Sequence, residues 1–399
     1  MGYLRRPNYY KNFKCISSKC TDSCCQEWEI DIDDETLQFY MQVEGEFGDR
    51  LRKNIKVPSG RSDIEWKSEK LKREELEDED SEEIETAHFI QTKDERCPFL
   101  NNCGLCDIFI HLGEEHLSQI CTHHPRFYDW FLKGEEAGLG LCCEEAARLI
   151  LQKSGYPKFE FIEDDENDTN NIANPEDEDL LFQKEIEQML FDMRDKLFGI
   201  IKPEIDMNQD EKMQKLYEAA VRFQDEYDDV MFPICDDDLK SEEGNGGKNA
   251  VSMKAPKWSA QFWNQEFLES LTEFYLTLEI NDENWWKLLC DIRKNLPEIL
   301  NRRNEFLKYY ENNLFEYEQL MIYFIYRHFM KARNDDALFE KIVFALISTN
   351  FIQILNIYEW MLNGRITQKT QINICKLYSK EIEYDEENME QVSLYMSSN

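Results

Sequence analysis

A chain of 399 residues with 42% hydrophobic and 13% aromatic content carries enough apolar mass for two or three cored domains, which excludes general disorder. Its 82 acidic residues against 46 Lys and Arg leave a formal net charge of −36. That charge excludes the positive footprint by which nucleic acid or an anionic membrane is bound, and it suits either a basic, lysine-presenting partner or simple solubility.

The first residues, MGYLRRPNYYKNFK, have no apolar leader core, and Arg6 stands where a myristoylation signal needs Ser or Thr. The longest apolar run, Ile342 to Ile347, stops at Ser348, Thr349 and Asn350, so no membrane span is expected. A cytoplasmic protein with reduced thiols follows from these signs.

Cysteine and histidine are unevenly placed. Ten of the 13 cysteines fall between Cys15 and Cys143, and five of the six histidines between His88 and His124. The first cysteine group reads C-x4-C-x3-C-C at Cys15, Cys20, Cys24 and Cys25. An acidic run, EELEDEDSEEIE at about 74–85, is expected to be a solvated loop. It separates that group from Cys97, Cys103 and Cys106, then Cys121 and the pair Cys142 and Cys143. Cys143 opens CEEAARLILQK, where Glu144 and Glu145 favour a first helical turn and Ala146, Leu149 and Ile150 form an apolar stripe.

The character of the chain changes near residue 152. Residues 153–179, acidic and Asn-rich, read as a linker. Apolar residues then recur at helical spacing from Leu180 to Ile201, and Asn208 is placed to cap a helix running through Tyr217 and Phe223. A Gly-, Ser- and Asp-rich stretch at about 236–250 reads as a flexible loop. Helices are predicted from Trp258 to Leu278, Trp285 to Leu296, Leu314 to Ala332 and Ala337 to Leu362. The short turns between them suggest antiparallel neighbours. The expected fold is mainly α: a metal-organised cysteine-rich domain of short helices and loops at 1–152, followed by an all-α helical bundle at 180–399.

Thiolates bind soft or borderline metals, and ligands two to five residues apart let one loop wrap a single ion or cluster. In a reducing compartment this reading outweighs disulfides. Cys235, Cys290 and Cys375 are read as small core hydrophobes, and Cys103 and Cys142 admit the same reading. His123 and His124 flank Cys121 and could replace a thiol, but supporting or surface roles are favoured for the histidines. All-thiolate ligation serves zinc and iron–sulfur equally.

Three stretches, FKCISSKCTDSCCQEWEIDID, CPFLNNCGLCDIFIHLGEEHLSQICTHHPRF and GLGLCCEEAARLIL, resemble the flagellin lysine-N-methylase (FliB-type) family and its wider set of cysteine-rich zinc- or iron-chelating domains. The likeness covers about the first 150 residues, with Trp28, Ile30, Asp33, Gly113, Glu114, Leu117, Ser118, Pro125 and Arg126 adding to the cysteine spacing. It implies methyl transfer from S-adenosylmethionine to lysine ε-amines of flagellin or a similar surface protein, with an iron–sulfur cluster, 4Fe–4S rather than zinc. It also implies the metal ligands Cys15, Cys20, Cys24, Cys25, Cys97, Cys106, Cys121 and Cys143. The chain departs at Glu27, where glycine is usual, and at Glu144, where proline is common. Arg126 and Glu145 are candidates for an active-site or cofactor-binding role, or for an ion pair bracing the metal loops.

No glycine-rich turn after a convincing strand marks a donor site; GLG at Gly138 to Gly140 and GNGG at Gly244 to Gly247 are the nearest. A C-x3-C-x2-C signature fails because position 27 is Glu. The alternative functional class is a zinc-structured, non-catalytic module that binds a basic protein. An iron–sulfur electron carrier is a third, for which the long helical half would be superfluous.

Overall fold

The computed structural model describes residues 2–21, 23–26, 29–58, 86–94, 96–153, 156–164, 178–232, 257–280 and 282–397. The acidic run at 74–85, the loop at 236–250, Glu27, Trp28 and Cys235 lie outside them, as does most of the expected linker. The chain forms two compact units, Lys14–Phe127 and a second made of Met1–Phe13 with Tyr128–Asn399.

The smaller unit holds helices α1 (Asp34–Gln42), α2 (Gly45–Lys53), α3 (Asp107–Leu112) and α4 (Gln119–His123). Beside them lie three very short strands, β2 (Asp31–Ile32), β3 (Ile55–Lys56) and β4 (Ala87–Phe89), in the order β2-β4-β3 with antiparallel pairing. Asp33 caps α1: one carboxylate oxygen accepts the Thr36 N–H at 3.0 Å, and the other accepts the Gln119 N–H at 2.8 Å at the start of α4. One residue thereby fixes two helices. Ile30, Ile32, Leu37, Tyr40, Leu51, Phe89, Phe99 and Ile108 form the core, with Cys25, Cys97, Cys106 and Cys121 packed into or against it.

The larger unit contains a sheet of order β5-β6-β1-β7, built from β1 (Gly2–Pro7), β5 (Arg126–Phe131), β6 (Gly134–Leu139) and β7 (Phe159–Asp164). Strand β1 runs parallel to β6 and antiparallel to β7. The described residues of 180–399 are helical, as expected, and the strands all precede them; the compact units, however, divide at Lys14 and Phe127 rather than at residue 152. The N-terminal strand and residues 159–164, read as linker, are ladder partners, so their backbone groups require the same unit. The fold remains mainly α.

Helix α5 (Glu144–Ile150) follows the sheet, then α6 (Glu178–Ile201) and α7 (Gln209–Met231). Asn208 caps α7 in a reciprocal box with Glu211. The single helix expected from Trp258 to Leu278 is two, α8 (Trp258–Phe262) and α9 (Gln265–Tyr275), because Asn264 takes the cap position between them. Helix α10 (Glu283–Tyr309) runs past Pro297, where the sequence reading ended it. Ile299 and Phe306 are buried beyond the proline, and their burial offsets the missing backbone bond.

Helices α11 (Phe315–His328), α12 (Ala332–Asp335), α13 (Leu338–Asn363), α14 (Gln368–Tyr378) and α15 (Glu386–Ser397) complete the unit. Helix α13 is buried on all sides and packs against α7, α10, α11, α14 and α15, ending at Gly364 with φ 68°. Its length and apolarity would suffice to cross a membrane, and most of it is covered by its neighbours.

Buried charge fastens sheet to helices. Arg194 of α6 is fully buried and grips Glu136 of β6 through two hydrogen bonds, one of 2.7 Å, while Arg5 of β1 lies 3.5 Å from the same carboxylate. The Tyr326 hydroxyl of α11 lies 3.0 Å from the Arg5 carbonyl and 3.2 Å from that of Ala137. We expect Arg194→Ala to cost about 3–5 kcal/mol, because Glu136 would stay buried with one partner fewer. The solvent-facing pair Arg222–Glu226 should lose at most about 1 kcal/mol on Arg222→Ala. Denaturant melts of both variants check the contrast.

Candidate functional site

The thiols gather in the smaller unit through local backbone turns. Cys15 and Cys20 bracket a 3-10 turn at Ser17–Lys19, with the Ser17 N–H 3.4 Å from the Cys15 sulfur and the Cys20 N–H donating to the Ser17 carbonyl at 2.9 Å. The Cys97 N–H donates to the Cys25 carbonyl at 2.8 Å, and Gln26 bridges to Arg96. These bonds join the two cysteine groups across the stretch that separates them in sequence.

The sulfurs lie close enough for their charges to act on one another. Cys24 feels Cys25, Cys121 and Cys15; Cys97 feels Cys25, Cys121 and Cys106. Polar groups that favour the thiolate lie beside three of them: the Phe99 N–H near Cys97, the Phe109 and Ile108 N–H groups near Cys106, and the Ser118 hydroxyl near Cys121. Burial pushes Cys97 and Cys121 up to about 12 and raises Cys106, while those donors pull the other way. The bond shared with Cys24 holds Cys25 down at about 7 against its burial, and the same bond, then burial, raises Cys24.

Cys15 and Cys24 are exposed, whereas Cys97, Cys106 and Cys121 are raised by burial; neighbouring buried thiols with N–H groups beside them suit a metal, because a cation replaces the protons and the N–H dipoles favour the ligating anion. Motif residues brace this arrangement. Ser118, 1% exposed, lies beside Cys121 and lowers its pKa against burial, and Asp33 holds the start of the helix that carries Cys121.

Seven of the eight expected ligands, Cys15, Cys20, Cys24, Cys25, Cys97, Cys106 and Cys121, lie in this unit, though no three of their sulfurs stand within 4.8 Å of one another. Cys143 belongs to the larger unit, where it precedes α5. Cys103 is exposed rather than buried, with its N–H donating to Asn101, whereas Cys142 and Cys375 are buried. His111 and His116 stack on Phe47 and Phe39 at 4.4 and 4.0 Å, which suits the supporting role expected of them. Arg126 donates to the Thr122 carbonyl at 3.3 Å; Glu145 makes a two-pronged pair with Arg148 of its own helix at 2.6 and 2.7 Å.

A second cluster escaped the sequence reading. Glu383 is 3% exposed and lies in a π-turn, Ser379–Glu383, after α14. Its carboxylate accepts from His328 Nε2 at 2.8 Å and from Ser379 Oγ at 2.5 Å, lies 2.8 and 2.9 Å from the Tyr323 hydroxyl, and faces Arg327 Nε at 3.3 Å. Burial alone would raise its pKa, but Arg327 and the bonds from His328 and Ser379 hold it at about 2. Burial pulls His328 down to about 4, so it stays a neutral imidazole, with no partner for Nδ1 among the described residues. Each of these residues is ordinary in sequence; the one cue was His328, the sole histidine outside the cysteine-rich stretch.

The turn at Gly138 to Gly140 does end a strand, β6, contrary to expectation. Its space is already filled: a Cβ on Gly140 would stand 1.7 Å from the Tyr384 hydroxyl.

The folded imidazole of His328 titrates near 4 and an unfolded one near 6.5. Its contribution is therefore complete above about pH 6.5 and declines as pH falls toward 4. Unfolding free energies measured at intervals across that window should fall with pH, and His328→Gln should flatten the slope there.

The sequence profile of the FliB lysine N-methylase C-terminal domain matches residues 138–399, well over half of the chain and largely beyond the stretch that carried the resemblance. A stretch of 148 residues, 37% of the chain, is 23% identical to the flagellar biosynthetic protein FliU of Salmonella muenchen, covering 76% of that protein. At the same identity and length it matches the lysine-N-methylases of Salmonella choleraesuis (strain SC-B67) and Salmonella typhimurium (strain LT2), covering 32% of each. No solved structure matches the chain. On the strength of the match over residues 138–399, this chain belongs to the FliB lysine N-methylase family.

Proposed function

We propose that the protein is an S-adenosylmethionine-dependent protein lysine N-methyltransferase. In this reading its N-terminal thiols hold an iron–sulfur cluster, and its substrate is flagellin or a similar lysine-presenting protein. The observation that carries the reading is family membership over residues 138–399, with lysine-N-methylases and a flagellar biosynthetic protein among its relatives. An acidic chain of net charge −36 suits attraction of a lysine cation.

Cys24, Cys25, Cys97, Cys106 and Cys121, with Cys15 and Cys20 from the first loop, would hold the cluster. Seven thiols exceed the four that either one tetrahedral zinc or one 4Fe–4S cluster takes, so the choice of 4Fe–4S rests on the family resemblance and not on ligand number. When bound, such a cluster supplies either cross-linking of these loops or one-electron chemistry. The chain's own residues suit it: the N–H groups of Phe99, Ile108 and Phe109 lower the pKa of Cys97 and Cys106 against their burial.

A substrate lysine must shed its proton before its nitrogen can take a methyl group, since the ammonium form has no lone pair. A partly desolvated pocket lowers that pKa.

Protein purified without oxygen should contain iron and inorganic sulfide and should transfer labelled methyl from S-adenosylmethionine to flagellin lysines. Cys121→Ser should lose iron, whereas Cys375→Ser should retain it. Stoichiometric zinc without iron would overturn the cluster, and absence of methyl transfer by iron-loaded protein would overturn the enzyme reading in favour of a basic-protein-binding module.

A further inference from the structure

The small sheet of the Lys14–Phe127 unit has two unlike faces. Asp31 of β2 stands directly opposite His88 of β4, and Ile32 opposite Ala87. Side chains alternate along a strand, so Ile30, Ile32, Ala87 and Phe89 enter the core, while Glu29, Asp31, Thr86 and His88 share the other face. There Glu29, Asp31 and His88 each offer a metal-binding atom, and the three atoms lie within 4.8 Å of one another. Among the described residues no other three His, Cys, Asp or Glu side chains converge this closely.

The contacts within the group resemble a supported ligand set. His88 Nδ1 lies 3.4 Å from Glu29 Oε1 and 3.2 Å from the Thr86 carbonyl, and the Thr86 hydroxyl donates to Asp31 Oδ1 at 2.5 Å. Thr86 therefore holds both the imidazole ring and one carboxylate in place, as outer partners of metal ligands do. The His88 side chain is 14% exposed and that of Glu29 66%, so the group is anchored on one flank and open to an entering ion on the other. Charge argues the same way. Even a protonated imidazole sets one positive charge against two carboxylates, whereas a divalent cation sets two. Lys56 of β3, opposite His88 on its other side, is exposed and pairs with neither carboxylate among the described residues.

We propose that Glu29, Asp31 and His88 form a nitrogen–oxygen site for a divalent first-row transition cation, separate from the thiols, that clamps β2 to β4. One imidazole nitrogen with two carboxylate oxygens suits manganese, iron(II) or zinc, whereas thiolates select softer ions. Three protein ligands leave room for water on the open flank. A clamp has a purpose here, because β2 and β3 are two residues long and such short strands are marginal by pairing alone. The inference rests on neither the methyltransferase reading nor the iron–sulfur cluster.

Manganese(II) is the probe, since thiolates hold it weakly and its free electron paramagnetic resonance signal is lost on binding. Titrated into full-length protein purified without oxygen, it should fill one tight site that excess magnesium does not empty. His88→Gln and Asp31→Asn keep side-chain shape and should each weaken that site by about tenfold or more; Lys56→Met should not weaken it. Manganese should also raise the melting temperature of the wild type, as a ligand of the folded state does, and leave that of His88→Gln unchanged. Glu29→Gln alters an exposed group whose loss the fold tolerates, so it decides the matter should either of the other ligand variants fail to fold. Equal affinity in the wild type and Glu29→Gln, or a wild-type titration with only many weak sites emptied by magnesium, would overturn the proposal and leave the group a surface ion pair.

Discussion

Desolvated sulfur is the constraint around which the smaller unit is arranged. Cys97, Cys106 and Cys121 are held high by burial in or against a core of modest size, and neighbouring thiols cannot all ionise without a cation among them. N–H groups of Phe99, Ile108 and Phe109 lower the pKa of Cys97 and Cys106 against burial, which favours the anionic form. Short strands and helices of five to nine residues cannot organise such loops by their own pairing. Under the proposed cluster reading a bound metal would cross-link them, as small cores commonly require.

The larger unit meets the opposite difficulty. Its apolar content is ample, with α13 buried along nearly its whole length, yet apolar packing tolerates sliding and repacking. Buried ion pairs remove that freedom at two places. Arg194 with Glu136 and Arg5 locks α6 to β6 and β1, and Arg327 with Glu383 locks α11, the π-turn and the Gly138–Cys143 segment. The charges must be paired because an isolated buried charge is costly, and pairing demands one geometry. The functional candidates thus sit where the unit has least conformational choice.

Long helices were legible because their faces are one-sided. Leu181, Ile186, Leu190, Met193 and Leu197 share the 3.6-residue period, and Asn208 announces the next helix by its cap. Pro297 misled because its local cost is visible in sequence, whereas burial of Ile299 and Phe306 beyond it is not. The sheet was missed for a related reason. Phe159, Phe161 and Ile162 have strand character, but an acidic neighbourhood suggested a linker, and their partner β1 lies some 150 residues away.

By itself the sequence determined the chemical inventory and everything that depends on near neighbours: which residues are thiols, how one loop can present several of them, where amphipathic helices begin, and what the net charge excludes. Only the tertiary structure decided which distant residues meet. It joined Cys25 to Cys97, moved the unit boundary to residue 127 by pairing β1 with β6 and β7, and set His328, Tyr323, Arg327 and Ser379 around Glu383. The physical reason is that periodicity, capping and ligand spacing are short-range, while desolvation and ion pairing depend on what surrounds a group in space.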